Sequence, residues 1–195
     1  MFDLGKVLVG FDYTRGYRAL EPHCRFPASE IPARINAAGL VLPFERGEVS
    51  NQAFFEGLSA ALGLEVSYDR FCELWSEIFL PEPLLADELL AGLHSRYRLV
   101  LISNTNDIHF RMIERTYPLL RHFEARALSY QVGAMKPAAA MYQEAVRLAG
   151  CPPEQCLYID DVREFVEAGR RHGLDAVQFQ GESRLVEELR KRGIL

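Results

Sequence analysis

Two hydrophobic patterns alternate along most of the chain. Short apolar runs, several of them rich in β-branched residues, cover 97–104 (YRLVLISN), 124–130 (EARALSY), 156–161 (CLYIDD) and 174–180 (LDAVQFQ). Between these runs, apolar residues recur with the helical period of about 3.6 residues over 105–116, 137–149 and 162–172. This alternation of strands and helices predicts an α/β fold, in which a parallel sheet carries helices on both faces.

Residues that start and stop helices agree with this interpretation. Pro137 stands where the first turn of a helix tolerates proline, and Gly150 and Gly173 stand where helices end. Residues 2–9 (FDLGKVLV) predict one more strand followed by a turn. The sheet would then have five strands.

The stretch from about 15 to 95 has a different pattern, with helical periodicity and no convincing strand. Ser50 and Ser67 are placed to cap helices, and Gly39 and Gly63 to end them. The periodic segments are 28–38, 50–62, 67–79 and 84–95. We expect a small helical cap over 15–84, inserted into an α/β core made of 1–14 and 85–195.

Composition narrows the class of protein. The 195 residues are 49% apolar and 25% charged, with a formal net charge of -5 and no basic patch or stripe. This argues against a nucleic-acid partner or a membrane surface. No signal peptide and no run of about 18 apolar residues are present, so we expect a cytoplasmic protein. The sequence does not determine the oligomeric state.

Polar groups stand at the carboxyl ends of the predicted strands, where open α/β sheets bind their ligands. In chain order they are Asp3, then Ser103 and Asn104, then Lys136, then Asp160 and Asp161. Each has an ordinary alternative: Asp3 as a solvated acid, Ser103 as a helix cap, Lys136 as a turn lysine. Adjacent carboxylates that end an apolar strand are harder to explain without a positive partner.

This set of groups fits phosphoryl transfer through an aspartyl-phosphate. A carboxylate serves as the nucleophile, and Mg²⁺ prefers the oxygen ligands that carboxylates and a backbone carbonyl offer. A lysine and a hydroxyl hold the transferring oxygens, assisted by amides at a helix N-terminus. The sequence therefore predicts an enzyme that needs Mg²⁺ and acts on a small phosphorylated molecule.

The order of these groups resembles the four motifs of the haloacid dehalogenase-like hydrolase superfamily, over essentially the whole chain. The resemblance includes the helical insertion, which is similar to the small helical caps of that group, and the segment ERGEVSNQAFF (45–55). The opening FDLGKVLVGFDYTR (2–15) most resembles the branch of sugar-phosphate phosphatases of the α-glucose-1-phosphatase type. The resemblance implies a three-layered Rossmann-like sheet with strand order 5-4-1-2-3.

The resemblance also implies roles for individual residues. Asp3 would be the nucleophile and a magnesium ligand. Further metal ligands would be the Gly5 carbonyl, Asp161 directly and Asp160 through water. The phosphate would be held by Ser103, Asn104 and Lys136, and the cap would contact the rest of the substrate.

Three positions depart from the superfamily pattern. Gly5 replaces the aspartate that usually serves as general acid or base, a role worth about 10²–10⁴-fold in rate. Asp12, in the flap that follows, is the candidate substitute donor, with a solvated acid as the alternative. Lys6 would either bind an anion or point into solvent, and Phe165 occupies a position where asparagine is common.

Two other functions stay open. A haloacid dehalogenase would use the same aspartate to attack carbon, but it needs no metal, which counts against it given Asp160 and Asp161. A binding or regulatory protein on the same fold would explain Gly5 and Lys6 as catalytic losses. The sequence does not identify the substrate.

Overall fold

The computed structural model describes all of residues 1–195. The strands are β1 Val9–Phe11, β2 Phe79–Pro83, β3 Val100–Ser103, β4 Ala125–Leu128, β5 Leu157–Asp160 and β6 Asp175–Gln178. The helices are α1 Tyr13–Leu20, α2 Ile31–Ala38, α3 Val41–Glu45, α4 Asn51–Leu62, α5 Tyr68–Ser76, α6 Asp87–His94, α7 Asp107–Thr116, α8 Ser129–Val132, α9 Ala139–Ala149, α10 Arg163–Arg171 and α11 Glu182–Lys191. Short 3₁₀ helices cover Glu21–His23, Pro118–His122 and Pro153–Gln155.

The N-terminal residues lie between two pairs of parallel strands. β3 pairs with β4, and β5 pairs with β6. The amide of Phe2 donates to the Val100 carbonyl at 2.9 Å, and the amide of Asp3 donates to the Ile159 carbonyl at 2.9 Å. Met1–Asp3 is therefore held on both sides, which brings Asp3 to the carboxyl ends of β3 and β5.

Both faces of these strands are covered. On β3, Leu101 belongs to one buried apolar cluster, and Val100 and Ile102 belong to another. Neighbouring residues of a strand point to opposite faces, so the two clusters lie on opposite sides. This is the mixed α/β arrangement that the alternating pattern predicts.

The prediction of a strand over 2–9 was wrong for most of its length. After Asp3 the chain turns, and the amides of Leu8 and Val9 both donate to the carbonyl of Leu4. Lys6 takes a left-handed conformation at φ 57°, which only glycine adopts without cost. The turn directs Val9–Phe11 into β1, which pairs with β2 in the antiparallel direction.

The helical stretch was predicted well in some parts and poorly in others. Ser50 and Ser67 are N-caps, and their hydroxyls accept from Ala53 and Arg70. The list of predicted helices lacked α1 and α3. The expectation that this stretch contains no strand was wrong at β2. Proline is rare in strands and argues against one in the sequence, but it is tolerated in β2 because this strand pairs on one edge only.

A third apolar cluster joins the helices between residues 13 and 76. It includes Phe44, Phe54 and Phe71, and the rings of Phe44 and Phe54 stack at 4.0 Å between centroids. Ile108 of α7 belongs to the same cluster, so this group of helices packs against the rest of the chain. No helix is long and apolar enough to cross a bilayer.

Candidate active site

A buried ammonium joins two of the predicted carboxylates. Nζ of Lys136 lies 2.8 Å from Oδ1 of Asp3 and 2.6 Å from Oδ2 of Asp160. Lys136, Asp3 and Asp160 are all buried. These side chains come from three distant parts of the chain, and the parallel strands bring them together.

Lys136 is fixed through its backbone as well as its side chain. Its amide donates to Oδ1 of Asn104 at 2.7 Å, and its carbonyl accepts from Nδ2 of the same asparagine at 3.1 Å. The peptide bond between Lys136 and Pro137 is cis. Nζ also lies 5.1 Å from the ring centroid of Phe165, so this departure from the family pattern forms one wall of the lysine's pocket.

Asp160 and Asp161 have different surroundings. Asp160 is fully buried and accepts from the Tyr158 hydroxyl, from Lys136 and from the amide of Val162. Asp161 is half-buried, and its carbonyl accepts from Gln178. No hydrogen bond or ion pair uses the side chain of Asp161.

Burial and mutual repulsion shift the pKa values of this cluster. Burial raises the pKa of Asp3 to about 6, Lys136 opposes the rise, and Asp160 adds to it. Burial and then Asp160 raise the pKa of Asp161. Burial alone would lower the pKa of Lys136, but Asp3 and Asp160 outweigh it and the pKa is raised. Two carboxyl groups thus pair with one ammonium, and a third, that of Asp161, lies beside them without a partner of its own.

The donor set fits a hard divalent cation. One carboxylate oxygen from each of Asp3, Asp160 and Asp161 lies within 4.8 Å of the other two. The Gly5 carbonyl, the further ligand that the resemblance implies, accepts no hydrogen bond within the chain. Oxygen ligands of this kind suit Mg²⁺, and a cation there would relieve the excess of negative charge.

A cavity of about 310 Å³ adjoins this cluster. Gly5, Ser103 and Asn104 line it on the side of the carboxylates, and Ser103 is buried. The rest of the lining comes from α1, α2, α3, α5 and α7, from β1 and β2, and from the residues next to them. Its polar and aromatic residues are Phe11, Tyr13, Tyr17, Asn36, Glu45, Trp75, Phe79, Thr105 and His109.

Sequence reasoning missed the carboxyl group and the imidazole that line this cavity, those of Glu45 and His109. Burial raises the pKa of Glu45 to about 7 and lowers the pKa of His109 to about 4. The ring of His109 stacks on Trp75, and its Nε2 lies 3.0 Å from the Trp75 carbonyl. The one signal in the sequence was the position of Glu45 at the start of ERGEVSNQAFF, which was used only as a resemblance.

Asp12 lies apart from the carboxylate cluster, whereas Lys6 lies near it, and the charge of Lys6 opposes the rise in the pKa of Asp161. Asp12 is exposed and caps α1, where its Oδ1 accepts from the amide of Thr14 at 2.8 Å. Asp12 does not line the cavity, and its role as proton donor stays a prediction. Lys6 is exposed, with Nζ 5.1 Å from the ring centroid of Phe11.

A family model confirms the class of protein that this fold and cluster indicate. The model of the haloacid dehalogenase-like hydrolases matches residues 2–173, which is most of the chain. The chain belongs to this family, and it is a hydrolase of the haloacid dehalogenase-like type.

Individual relatives are similar over nearly their full length. A D-ribitol-5-phosphate phosphatase of Bacteroides thetaiotaomicron is 24% identical over 97% of this chain and 95% of its own. A phosphatase of Mycobacterium tuberculosis is 26% identical over 100% of this chain and 94% of its own. A haloacid dehalogenase family enzyme of B. thetaiotaomicron, crystallised with magnesium and inorganic phosphate, superposes with a TM-score of 0.82 at 24% identity, over 92% of each chain.

Proposed function

We propose that the chain is a magnesium-dependent phosphatase that works through an aspartyl-phosphate on Asp3. Its substrates would be monophosphates of small sugars or polyols that carry no other charge. The observation that carries this proposal is the group of Asp3, Lys136, Asp160 and Asp161 beside the cavity. A nucleophile, a cation for the phosphate and a set of oxygen ligands stand together there. The names of the two phosphatases among the relatives support the same reaction.

In this mechanism the chain's own groups have separate tasks. The Asp3 carboxylate attacks phosphorus, and the bond from phosphorus to the leaving oxygen breaks as the new bond forms. Lys136 neutralises charge on the phosphate oxygens, Asn104 orients them, and the Ser103 hydroxyl donates to one of them. Water then cleaves the acyl phosphate, which releases phosphate and restores Asp3.

The metal site is part of the proposal. Asp3, Asp161, Asp160 and the Gly5 carbonyl would hold Mg²⁺, Asp160 through water because its oxygens already accept from Lys136, Tyr158 and Val162. When bound, the ion supplies positive charge that offsets the repulsion between the phosphate and the Asp3 carboxylate.

The lining of the cavity favours a neutral leaving group. No lysine or arginine lines it, whereas tyrosine, tryptophan, asparagine and histidine side chains do. A second phosphate or carboxylate on the substrate would therefore lie in the cavity without a counter-ion, at a cost of several kcal/mol, of order that for burying an unpaired charge. Hydroxyl groups and apolar sugar faces suit this lining better.

We also propose that the chain has the cap and core of this family. Residues 15–84 would form the cap, and 1–14 with 85–195 the core. The full sheet would have the strand order 5-4-1-2-3, in which residues 1–3 are the central strand. The hydrogen bonds of Phe2 and Asp3 to Val100 and Ile159 support this order.

A phosphate-release screen tests the function. We expect release from sugar and polyol monophosphates in Mg²⁺, much slower release from bisphosphates, and none in EDTA. Asp3→Asn should abolish turnover because an amide is a poor nucleophile, while Asp69→Asn, an exposed acid outside the site, keeps it. Halide release from 2-haloacids without metal would assign a dehalogenase instead, and inactivity on every substrate would leave a binding protein.

A further inference from the structure

The position that usually carries the general acid is closed in this chain. A Cβ atom placed on Gly5 would lie 2.9 Å from Cε1 of Phe11, closer than real contacts of this kind. The Phe11 ring, held on β1, thus fills the space that a side chain at position 5 would need. A proton for the leaving group would therefore come from a group other than residue 5.

Glu45 is the one carboxyl side chain among the residues that line the cavity. It ends the short helix α3, and no hydrogen bond or ion pair within the chain involves its carboxyl group. The same cavity is bounded by Gly5, Ser103 and Asn104. The leaving group of a phosphate held at Ser103 and Asn104 would therefore share the cavity with the Glu45 carboxyl.

We propose that Glu45 is the catalytic acid and base of this enzyme and replaces the group that position 5 lacks. This assignment rests on the proposed phosphatase function. In the first step the Glu45 carboxyl gives its proton to the leaving oxygen as the bond from that oxygen to phosphorus breaks, which releases an alcohol. In the second step the Glu45 carboxylate takes a proton from the water that attacks the phosphorus of the aspartyl-phosphate.

The ionisation of Glu45 suits this task. Burial raises its pKa to about 7, so near neutral pH the carboxyl is available in both forms, as an acid–base catalyst requires. The other titratable groups that line the cavity are Tyr13, Tyr17 and His109. Arg46 follows α3 directly, and Glu56 and Tyr130 lie on α4 and α8, which pack against α3. Burial raises the pKa of the three tyrosines and lowers that of His109 to about 4, and Glu56 is exposed on α4.

The test compares two leaving groups in Glu45→Gln. The substrates are the alkyl phosphate that the wild type hydrolyses fastest in the screen and 4-nitrophenyl phosphate, whose leaving group needs no proton. We expect kcat on the alkyl phosphate to fall about 10²-fold or more, with KM little changed. On the aryl phosphate kcat/KM, which covers only the steps up to departure of the leaving group, should fall by no more than about threefold, since that departure needs no proton. The alkaline limb of the pH profile on the alkyl phosphate should disappear.

Glu48→Gln is the matched control, because Glu48 lies on the same segment, is exposed and pairs with Arg46. It should retain wild-type rates on both substrates. Glu45→Ala provides a second readout, in which added formate should restore part of the alkyl phosphatase activity by replacing the carboxyl group.

Three results would overturn the assignment while the wild type remains an active phosphatase. They are equal losses of kcat/KM on the two substrates, a change confined to KM, and full activity of Glu45→Gln. The first two would make Glu45 a residue that binds or shapes the substrate, and the third would leave the donor elsewhere. A wild type that releases phosphate from no substrate would instead refute the function itself.

Discussion

At the scale of single residues, Glu45 shows why the sequence predicted one half of the site and missed the other. Asp3, Lys136, Asp160 and Asp161 follow or precede recognisable strands, so the rule for parallel sheets places them at one edge. Glu45 has no such marker, since its burial depends on how α3 packs against distant helices. Neither hydrophobic period nor residue type encodes that packing locally.

The raised pKa of Glu45 predicts a dependence of stability on pH. Its pKa rises from 4.5 to about 7 on folding. Between these values the folded chain keeps a proton that the unfolded chain has lost, so the free energy of unfolding falls as pH rises through this range. Glu45→Gln lacks this group. The free energy of unfolding of this variant should equal that of the wild type near pH 4.5 and exceed it by roughly 2 kcal/mol above pH 7, a figure reduced to allow for the partial exposure of Glu45.

Urea denaturation at pH 5 and pH 8 measures this difference. Glu48→Gln serves as the control, because its hydrogen bond from Arg46 lowers the pKa of Glu48 and its removal should lower stability slightly above pH 5. If the difference in free energy of unfolding between Glu45→Gln and the wild type is the same at pH 5 and pH 8, the result would contradict the burial of this carboxyl.

At the scale of elements, contact between α10 and β5 holds the carboxylates in place. Gly169 of α10 lies against Tyr158 of β5, and a Cβ atom at Gly169 would lie 2.7 Å from Cδ1 of that ring. Tyr158 is fully buried and donates to Asp160. The close approach of this helix therefore helps to position a charged residue of the site.

Gly169→Ala should lower the free energy of unfolding by about 1–3 kcal/mol, since the ring has no free space to enter. Gly92→Ala is the matched control on helix α6, where a Cβ atom meets nothing within 4 Å. The free energy of unfolding of that variant should rise by about 0.5–1 kcal/mol, because alanine favours a helix more than glycine does. Chemical denaturation of both variants checks the pair, and equal effects of the same sign would disprove the close contact.

The helices and strands also show which parts of the fold the local sequence pattern can predict. Ser50 and Ser67 were correctly predicted as caps because capping depends on neighbours three residues away. β1 and β2 were missed because they are short, and each becomes a strand only through pairing with the other, with Phe11 opposite Phe79, 68 positions further along the chain. Long-range pairing of this kind leaves little trace in local composition.

At the scale of the whole molecule, the carboxylate cluster should couple the stability of the fold to the binding of a metal ion. Bringing Asp3, Asp160 and Asp161 around one ammonium costs free energy that a divalent cation would return. We expect Mg²⁺ at about a hundred times its Kd to stabilise the protein by about 2.7 kcal/mol. For a chain of this size that corresponds to a rise in Tm of about 5–10 °C.

Thermal unfolding in Mg²⁺ and in EDTA measures this rise at matched ionic strength. Asp161→Asn should reduce it strongly at low Mg²⁺ and recover part of it at high Mg²⁺, because the variant loses one ligand and keeps the others. Asp69→Asn, an exposed acid on α5, should behave like the wild type. An equal rise in all three proteins would place the bound magnesium somewhere else.

Trp75 gives the molecule an optical reporter. It is the one tryptophan in the chain, and it lies in the wall of the cavity, stacked on His109. With excitation at wavelengths that tyrosine does not absorb, emission therefore arises from a single indole, whose surroundings change when a molecule enters the cavity. Occupancy becomes readable by fluorescence in the unlabelled protein, with Asp3→Asn available to hold a substrate there without consuming it.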